Sequence, residues 1–320
     1  MKPPVKKIVK AFAPGAISSF FEIYNTNPDG TPITDLQRMG ARGGGFGLNC
    51  GVHTKVTLED APENSIQVTI NNQPATEAKV TRNVTQTLLS QTTKKYSVTV
   101  EHQIDVPIGM GFGTSAGGAL TTGLALKEAL GLPLTYNQIG RIAHAAEIQS
   151  QTGLGTVSSL TVGGGLILVT EPGAPGICKT DRIPISPDYA VVAGFYTTKI
   201  SKTLLSSPQR KVEINRYGKQ ALEQILAEPT LENFLSNCWL FAQKAGFASD
   251  GVRELVRLAV KAGAVGAAQN MIGEAVHAVV LEENAVSVAE AFKQVLPENQ
   301  VLLCKVDFQG ARLVGNEEAI

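Results

Sequence analysis

Several things are scarce in this chain. Among its 320 residues there is one tryptophan, and aromatic residues make up only 6%. Basic and acidic residues balance at 28 each, so the basic excess or stripe that a nucleic-acid partner requires is missing. No apolar run reaches the roughly 18 residues needed to cross a bilayer, which excludes a membrane partner of the spanning kind. Residues 1–7 are basic but no apolar stretch follows them, so they do not read as a signal peptide. The four cysteines, Cys50, Cys178, Cys238 and Cys304, form no C-x-x-C pair. That argues against a zinc site and fits a reducing cytoplasm, the expected location. The histidines, His53, His102, His144 and His277, are equally scattered. No repeat and no low-complexity tract interrupts the chain.

Glycine, by contrast, is abundant, at 32 residues. Its most informative cluster is Pro107-Ile-Gly-Met-Gly-Phe-Gly-Thr-Ser-Ala-Gly-Gly-Ala-Leu120. Gly109, Gly111 and Gly113 alternate, and Thr114, Ser115 and Ala116 open what reads as a helix. Glycine lets a backbone approach a ligand closely. A helix start adds unpaired N–H groups and the positive end of the dipole. Together they make an anion cradle, most naturally for phosphate, with Ser115 able to offer a hydroxyl to phosphate or to magnesium. Glycine-rich turns before helices also arise from packing alone. The cluster is not a Walker A loop, because G-x-x-x-x-G-K-[ST] is absent. As a dinucleotide loop it lacks the acidic residue expected about 20 positions on.

The full string resembles the P-x-G-x-G-[LF]-G-[ST]-S-A loop of the GHMP kinases, which phosphorylate small metabolites. The segment from Ala11 to Ile23, with its A-P-G, is similar to that family's first motif, and Gly263 to His277 stands in the place of the third. P-G-x-x-x-x-F-F-E-I, the stretch Gly40–Val52, Thr152–Val157, Glu171–Pro175 and Gln269–Gly273 resemble the branch of archaeal-type pantoate kinases. The resemblance implies an α+β GHMP kinase fold, with an N-terminal part like ribosomal protein S5 domain 2 and a ferredoxin-like C-terminal part. It implies ATP and Mg2+ as the nucleotide and metal, and a small hydroxy acid as substrate, pantoate first. Shikimate or homoserine, or a catalytically weak nucleotide-binding regulator, are the alternatives. A homodimer is entertained as the assembly.

Along the chain, residues 5–12, 53–58, 65–70 and 96–104 read as strands, the last by strict alternation. Helices are expected at 82–91, at 116–130 with a stop at Gly131, and from a Thr135 cap to about 149. Residues 163–169 read as a buried strand. The turn-rich 171–176 marks the expected boundary between an ATP-binding part, 1–172, and a second part, 173–320. Beyond it come a strand at 189–197 and helices at 200–205, 209–227, 231–246 and 251–261. Strands at 264–268, 275–280 and 300–307 and a helix at 286–295 complete the pattern. Strands and helices mixed irregularly suggest α+β.

The site follows residue by residue. Pro107, Gly109, Gly111, Gly113, Thr114, Ser115 and Ala116 would hold nucleotide phosphates. Glu147, set among Ala143, Ala145, Ala146 and Ile148, is the candidate metal carboxylate, and the family pattern places the metal hydroxyl on Ser115. Where many relatives carry a general-base aspartate, this chain has Thr156. Homoserine kinases are similar in lacking that aspartate, so base-free transfer is the favoured reading and lost activity the other. Arg42 is the candidate for the acid's carboxylate, with Arg82 next, because Leu168 stands where the branch places an arginine. Ser18, Ser19 and His144 are candidates for substrate hydroxyls, although His144 reads more readily as a helix histidine satisfied by neighbours.

Overall fold

Two very long strands carry the first half of the protein. A computed structural model describes residues 6–196 and 207–315; the helix expected at 200–205 lies outside the described residues. β1 (Lys6–Tyr24) and β2 (Gly40–Asp60) pair antiparallel from Lys6↔Glu59 to Tyr24↔Gly40. The sequence predicts far shorter strands here and leaves the glycine-rich stretch before His53 unassigned. The structure makes that whole stretch strand. The reason is proximity: a Cβ on Gly45 would sit 1.7 Å from the Ile17 carbonyl oxygen. The glycines admit a close backbone neighbour rather than a turn. Register shifts at Pro14/Gly15 and Ser18/Phe20 let β1 carry the A-P-G segment past its partner.

These strands are central in an eight-stranded sheet of order β12-β1-β2-β5-β3-β4. The other members are β3 (Ser65–Ile70), β4 (Gln73–Pro74), β5 (Tyr96–Ile104) and β12 (Arg312–Val314), with β6 (Leu166–Glu171) on β2 and β7 (Lys179–Ile183) on β6. The turn at 171–176 therefore joins two paired strands of one sheet, and the chain returns to this sheet at β12. α1 (Lys79–Leu89), α2 (Thr114–Leu130), α3 (Tyr136–Gln149) and α4 (Thr156–Val162) cover one face. Leu120, Leu124 and Leu126 of α2 are buried with Val56, Val98 and Val100 of the sheet. Each such side chain contributes about 1.5–3 kcal/mol by leaving water. α2 stops at Gly131, whose φ is 70°. α3 starts at a Thr135 cap, as its sequence predicts, and the Gln138 side chain closes it into a capping box.

The second sheet is antiparallel, β11-β8-β10-β9, built from β8 (Tyr189–Phe195), β9 (Gly266–Gln269), β10 (Ala275–Leu281) and β11 (Val301–Lys305). It packs with α5 (Pro208–Ala227), α6 (Leu231–Lys244), α7 (Asp250–Lys261) and α8 (Ala285–Lys293). One apolar core crosses between the sheets, joining Phe20, Phe46, Phe112, Leu168, Val191, Phe234 and Phe241. A polar seam runs beside it. Asp307 donates its N–H to the Gly47 carbonyl at 2.9 Å, Gly165 donates to the Asp307 carbonyl at 2.6 Å, and Lys305 donates to Asn49 Oδ1 at 2.8 Å. At its end Cys50 and Cys304 are paired as a disulfide with Cα atoms 6.5 Å apart. Their separation of 254 residues hid the pairing from a spacing argument. Cys178 and Cys238 are free.

Candidate nucleotide and phosphoryl-transfer site

The glycine cluster forms a tight turn that runs directly into the start of α2. Gly109, Gly111 and Gly113 have φ of 83°, 80° and 63°, a region closed to most side chains. Gly113 is the N-cap of α2 and no side chain caps it. The first intrahelical bond is Gly117 N–H to the Gly113 carbonyl, 3.0 Å. The N–H groups of Thr114, Ser115 and Ala116 precede it and face outward at the positive end of a 17-residue helix. Such a start receives an anion.

Ser115 and Glu147, 32 residues apart, come together. The Ser115 hydroxyl donates to Glu147 Oε1, and Thr152 Oγ1 donates to the same oxygen at 2.6 Å. Thr152 lies just past α3 and is not among the site residues expected from the sequence. Only 3% of Glu147 is exposed. Burial pushes its carboxyl above the ordinary carboxylate range, and the bonds from Ser115 and Thr152 oppose that only in part. A buried carboxylate flanked by two hydroxyls, with no cationic side chain bonded to it among the described residues, is an oxygen donor set of the kind a hard divalent cation takes. Among the described residues no cluster of three or more His, Cys, Asp or Glu could hold a metal. A cation here would therefore share one carboxylate, hydroxyls and the ligand's own oxygens.

Beside Ser115 opens a cavity of about 230 Å3. Ile70, Ile104, Ile108 and Val80 give it apolar walls, and Thr114, Ser115, Ser150 and Thr152 line its polar end. Lys79, next to Glu77, brings a cation to it. This layout suits a flat apolar base leading to an anionic tail. His102 also borders the cavity, but Thr54 holds its Nδ1 at 2.7 Å and Thr81 its Nε2 at 3.0 Å. Burial holds the His102 pKa down at about 4, so it is a neutral structural group. A larger hollow, about 360 Å3, is lined by Val162, Ile167, Thr180, Asp181 and Arg182. None of the cradle residues borders it, and its size does not make it the site.

The remaining candidates separate by face. Thr156 opens α4 and its methyl lies 2.9 Å from where a Cβ on Gly113 would be, so it stands at the cradle. The Ala16 Cβ is 2.8 Å from that same point, and Ser18, two residues on, shares its face of β1. Ser19 points the other way and bonds His277 Nε2 at 2.9 Å. His144 is 1% exposed and bonds the Met39 carbonyl at 3.0 Å. Arg42 is not in a loop. It lies on β2 opposite Glu22, and both its Nε (2.8 Å) and its Nη2 donate to Glu22 Oε2. Its neighbour Ala41 meets Gly155, whereas the Glu22 Cβ meets Gly218 of α5. Arg42 therefore occupies the sheet face opposite Thr156. Arg82 donates to the carbonyls of Thr76 and Ile66, and Leu168 is 1% exposed in the inter-sheet core.

Comparison with known proteins gives the chain's relatives. The GHMP kinases N terminal domain matches residues 78–164, which hold the cradle, Glu147 and Thr156. A pantoate kinase from Thermococcus kodakarensis is 30% identical over 295 residues, 91% of this chain and 92% of that protein. One from Methanocaldococcus jannaschii is 28% identical over 276 residues, 85% of this chain and 93% of its own length. A solved structure described as a phosphotransferase related to the CoA biosynthesis pathway superposes with a TM-score of 0.83 at 28% identity, covering 98% of this chain and 100% of that one. Homoserine kinase from Cytophaga hutchinsonii shares the fold, with a TM-score of 0.67 at 15% identity over 96% of this chain and 97% of its own.

Proposed function

Since the chain belongs to the GHMP kinase family, on its pantoate kinase branch, we propose that it transfers the γ-phosphoryl group of ATP to a hydroxyl of pantoate, forming 4-phosphopantoate for coenzyme A synthesis. The observation that carries this reading is the Ser115–Glu147 pair at the open helix start. The N–H groups of Gly109 to Ala116 would receive the polyphosphate, and the cavity beside Lys79 the base and sugar. Mg2+ fits the donor set of Glu147, Ser115 and Thr152, and when bound it would neutralise charge on the phosphates.

The acceptor hydroxyl would lie between Ser18, Ala16 and Thr156, against the cradle. Thr156 has no carboxylate and cannot take the proton at neutral pH. A loose phosphoryl transition state puts little demand on a base and much on positioning, so the proton can leave with the transferred phosphate or to water. Arg42, Arg82 and Leu168 leave the acid's carboxylate without the arginine expected for it. This favours hydroxyl and backbone donors there. It also supports a second reading, a weak kinase that binds nucleotide for regulation. ADP formation measured across a panel of hydroxy acids decides between them. Turnover with pantoate above that with shikimate or homoserine supports the first reading, and none with any acid supports the second.

A further inference from the structure

The way α3 ends decides how Glu147 is held. The helix closes on Ser150, and the next residue, Gln151, has a φ of 55°. That is the left-handed region, which glycine enters freely and glutamine at a cost. Two backbone bonds complete the end: Gln151 N–H donates to the Ile148 carbonyl at 3.0 Å, and Thr152 N–H to the Glu147 carbonyl at 3.1 Å. Such a pair of bonds folds the residue after the left-handed one back onto the last turn of the helix, where an apolar contact frequently accompanies it. Here the two residues brought together are Thr152 and Glu147, and the contact is polar.

The contact distinguishes the two carboxylate oxygens. Thr152 Oγ1 donates to Glu147 Oε1 at 2.6 Å, and the Ser115 hydroxyl donates to that same oxygen. No described residue hydrogen-bonds Oε2. Oε2 faces Gly153 instead. A Cβ on Gly153 would lie 2.5 Å from Oε2 and 3.6 Å from the Glu147 Cδ, and beyond the glycine's own chain neighbours no other heavy atom would come within 4 Å. Gly153 is not among the glycines of positive φ, so its backbone would admit a side chain. The carboxylate oxygen alone makes the position tight. A glutamine in a left-handed turn and a carboxylate 3% exposed both cost the ligand-free fold. Stability therefore does not account for this helix end.

We infer that Thr152 and Gly153 are positioning residues for the cation of phosphoryl transfer: Thr152 fastens Glu147 through Oε1, and Gly153 keeps the space that leaves Oε2 free to meet the cation. This rests on the kinase reading and deepens it. Both residues act through Glu147, and the aim of the carboxylate is set within the short stretch from 147 to 153.

The test uses Thr152→Val, which keeps the shape and removes the hydroxyl, Thr152→Ser, which restores the hydroxyl, and Gly153→Ala. Manganese(II) is the probe, its binding followed by electron paramagnetic resonance at a fixed concentration of ADP, with ligand-free melting measured beside it. Thr152→Val and Gly153→Ala should each bind manganese about 10–100-fold more weakly, the usual effect of losing a group that orients a metal ligand. Thr152→Ser should bind close to the parent. The magnesium needed for half-maximal turnover should rise in step, and KM for the acid should stay. Ligand-free Gly153→Ala should melt no lower than the parent, because Oε2 ends a side chain that can swing aside and alanine restricts the unfolded chain.

Manganese affinity within about twofold of the parent in folded Thr152→Val or Gly153→Ala, against the tenfold or greater loss expected, overturns the inference. So does a Thr152→Ser that binds no better than Thr152→Val, because the hydroxyl would then not be the agent. If Thr152→Val does not fold, Gly153→Ala decides: weakened manganese binding with unchanged melting supports the inference, and normal binding overturns it. A parent that takes up no manganese in the presence of ADP overturns it outright. Should no acid yield ADP, the kinase reading fails while the manganese titration still decides on Thr152 and Gly153.

Discussion

The Ser115 hydroxyl, in the first turn of α2, donates to the Glu147 carboxylate, in the last turn of α3. Two helices from one layer thus aim an oxygen pair at the same point of the cradle. Ser115→Ala and Glu147→Gln should each lower turnover by about 10²–10³ while the far-ultraviolet circular dichroism stays unchanged. Near-normal turnover at saturating magnesium in either variant would remove that residue from the metal site.

Glu147 also sets a pH dependence of stability. Its folded pKa is raised by burial, so the carboxyl weakens the ligand-free fold. The penalty is absent below the ordinary carboxylate pKa, where folded and unfolded chains both hold the proton. It grows as pH rises from there to the raised value, and persists above it. Ligand-free Glu147→Gln should therefore melt higher than the parent near pH 8, with the gain vanishing near pH 4. Equal melting of the two proteins across that range would show that the carboxyl is not destabilising.

Arg42 is better understood through Glu22 than through a substrate. The pair is largely enclosed, with side-chain exposures of 22% and 9%, and Arg42 lies 5.2 Å from the Tyr24 ring centre. Arg42→Ala leaves Glu22 buried without its partner and should cost about 3 kcal/mol in urea unfolding. KM for the acid should stay close to the parent's. An unchanged unfolding midpoint with a raised acid KM would return Arg42 to the substrate.

Thr156, where the family resemblance leads to the expectation of a carboxylate, has its methyl toward Gly113. Thr156→Ala should reduce turnover only mildly. Thr156→Asp should gain little, because base catalysis, worth roughly 10²–10⁴ where it operates, is not the missing element. A hundredfold gain in Thr156→Asp would support the reading of a weakened, regulatory kinase.

Reduction should separate the effects of the disulfide from those of the site. Opening Cys50–Cys304 removes a cross-link worth about 2–4 kcal/mol, so melting should drop with reductant and with Cys304→Ser alike. Labelling of four thiols without reductant, and no change in melting on adding it, would show that the bond is not formed in solution.

Much of this was legible in the sequence, for physical reasons that also explain the rest. The loop at 107–116, the Thr135 cap and the Gly131 stop are local, and local chemistry announces them. Ser115 and Glu147 were joined through family resemblance, and helix packing brings them together. β2 was not legible, because glycine is poor in strands on average and only the approach of β1 shows why Gly45 must be one. The face of Arg42 depended on which neighbour β2 would have, and the partners of Ser19 and His144 depended on contacts more than 100 residues away. Cys50 and Cys304 are the extreme case, since nothing near either residue points to the other.

The seam between the sheets has a mechanical consequence. Gly47, Asn49 and Cys50 lie within four positions of β2, and each is fastened to the 304–307 stretch that follows from the second sheet. Successive ties along one line act as a weld rather than a pivot, since rotation of one half against the other would have to break them together. A ligand entering the cavity beside Ser115 would then meet two halves that travel as one frame, and any yielding would fall to the glycine loop and the side chains lining the cavity.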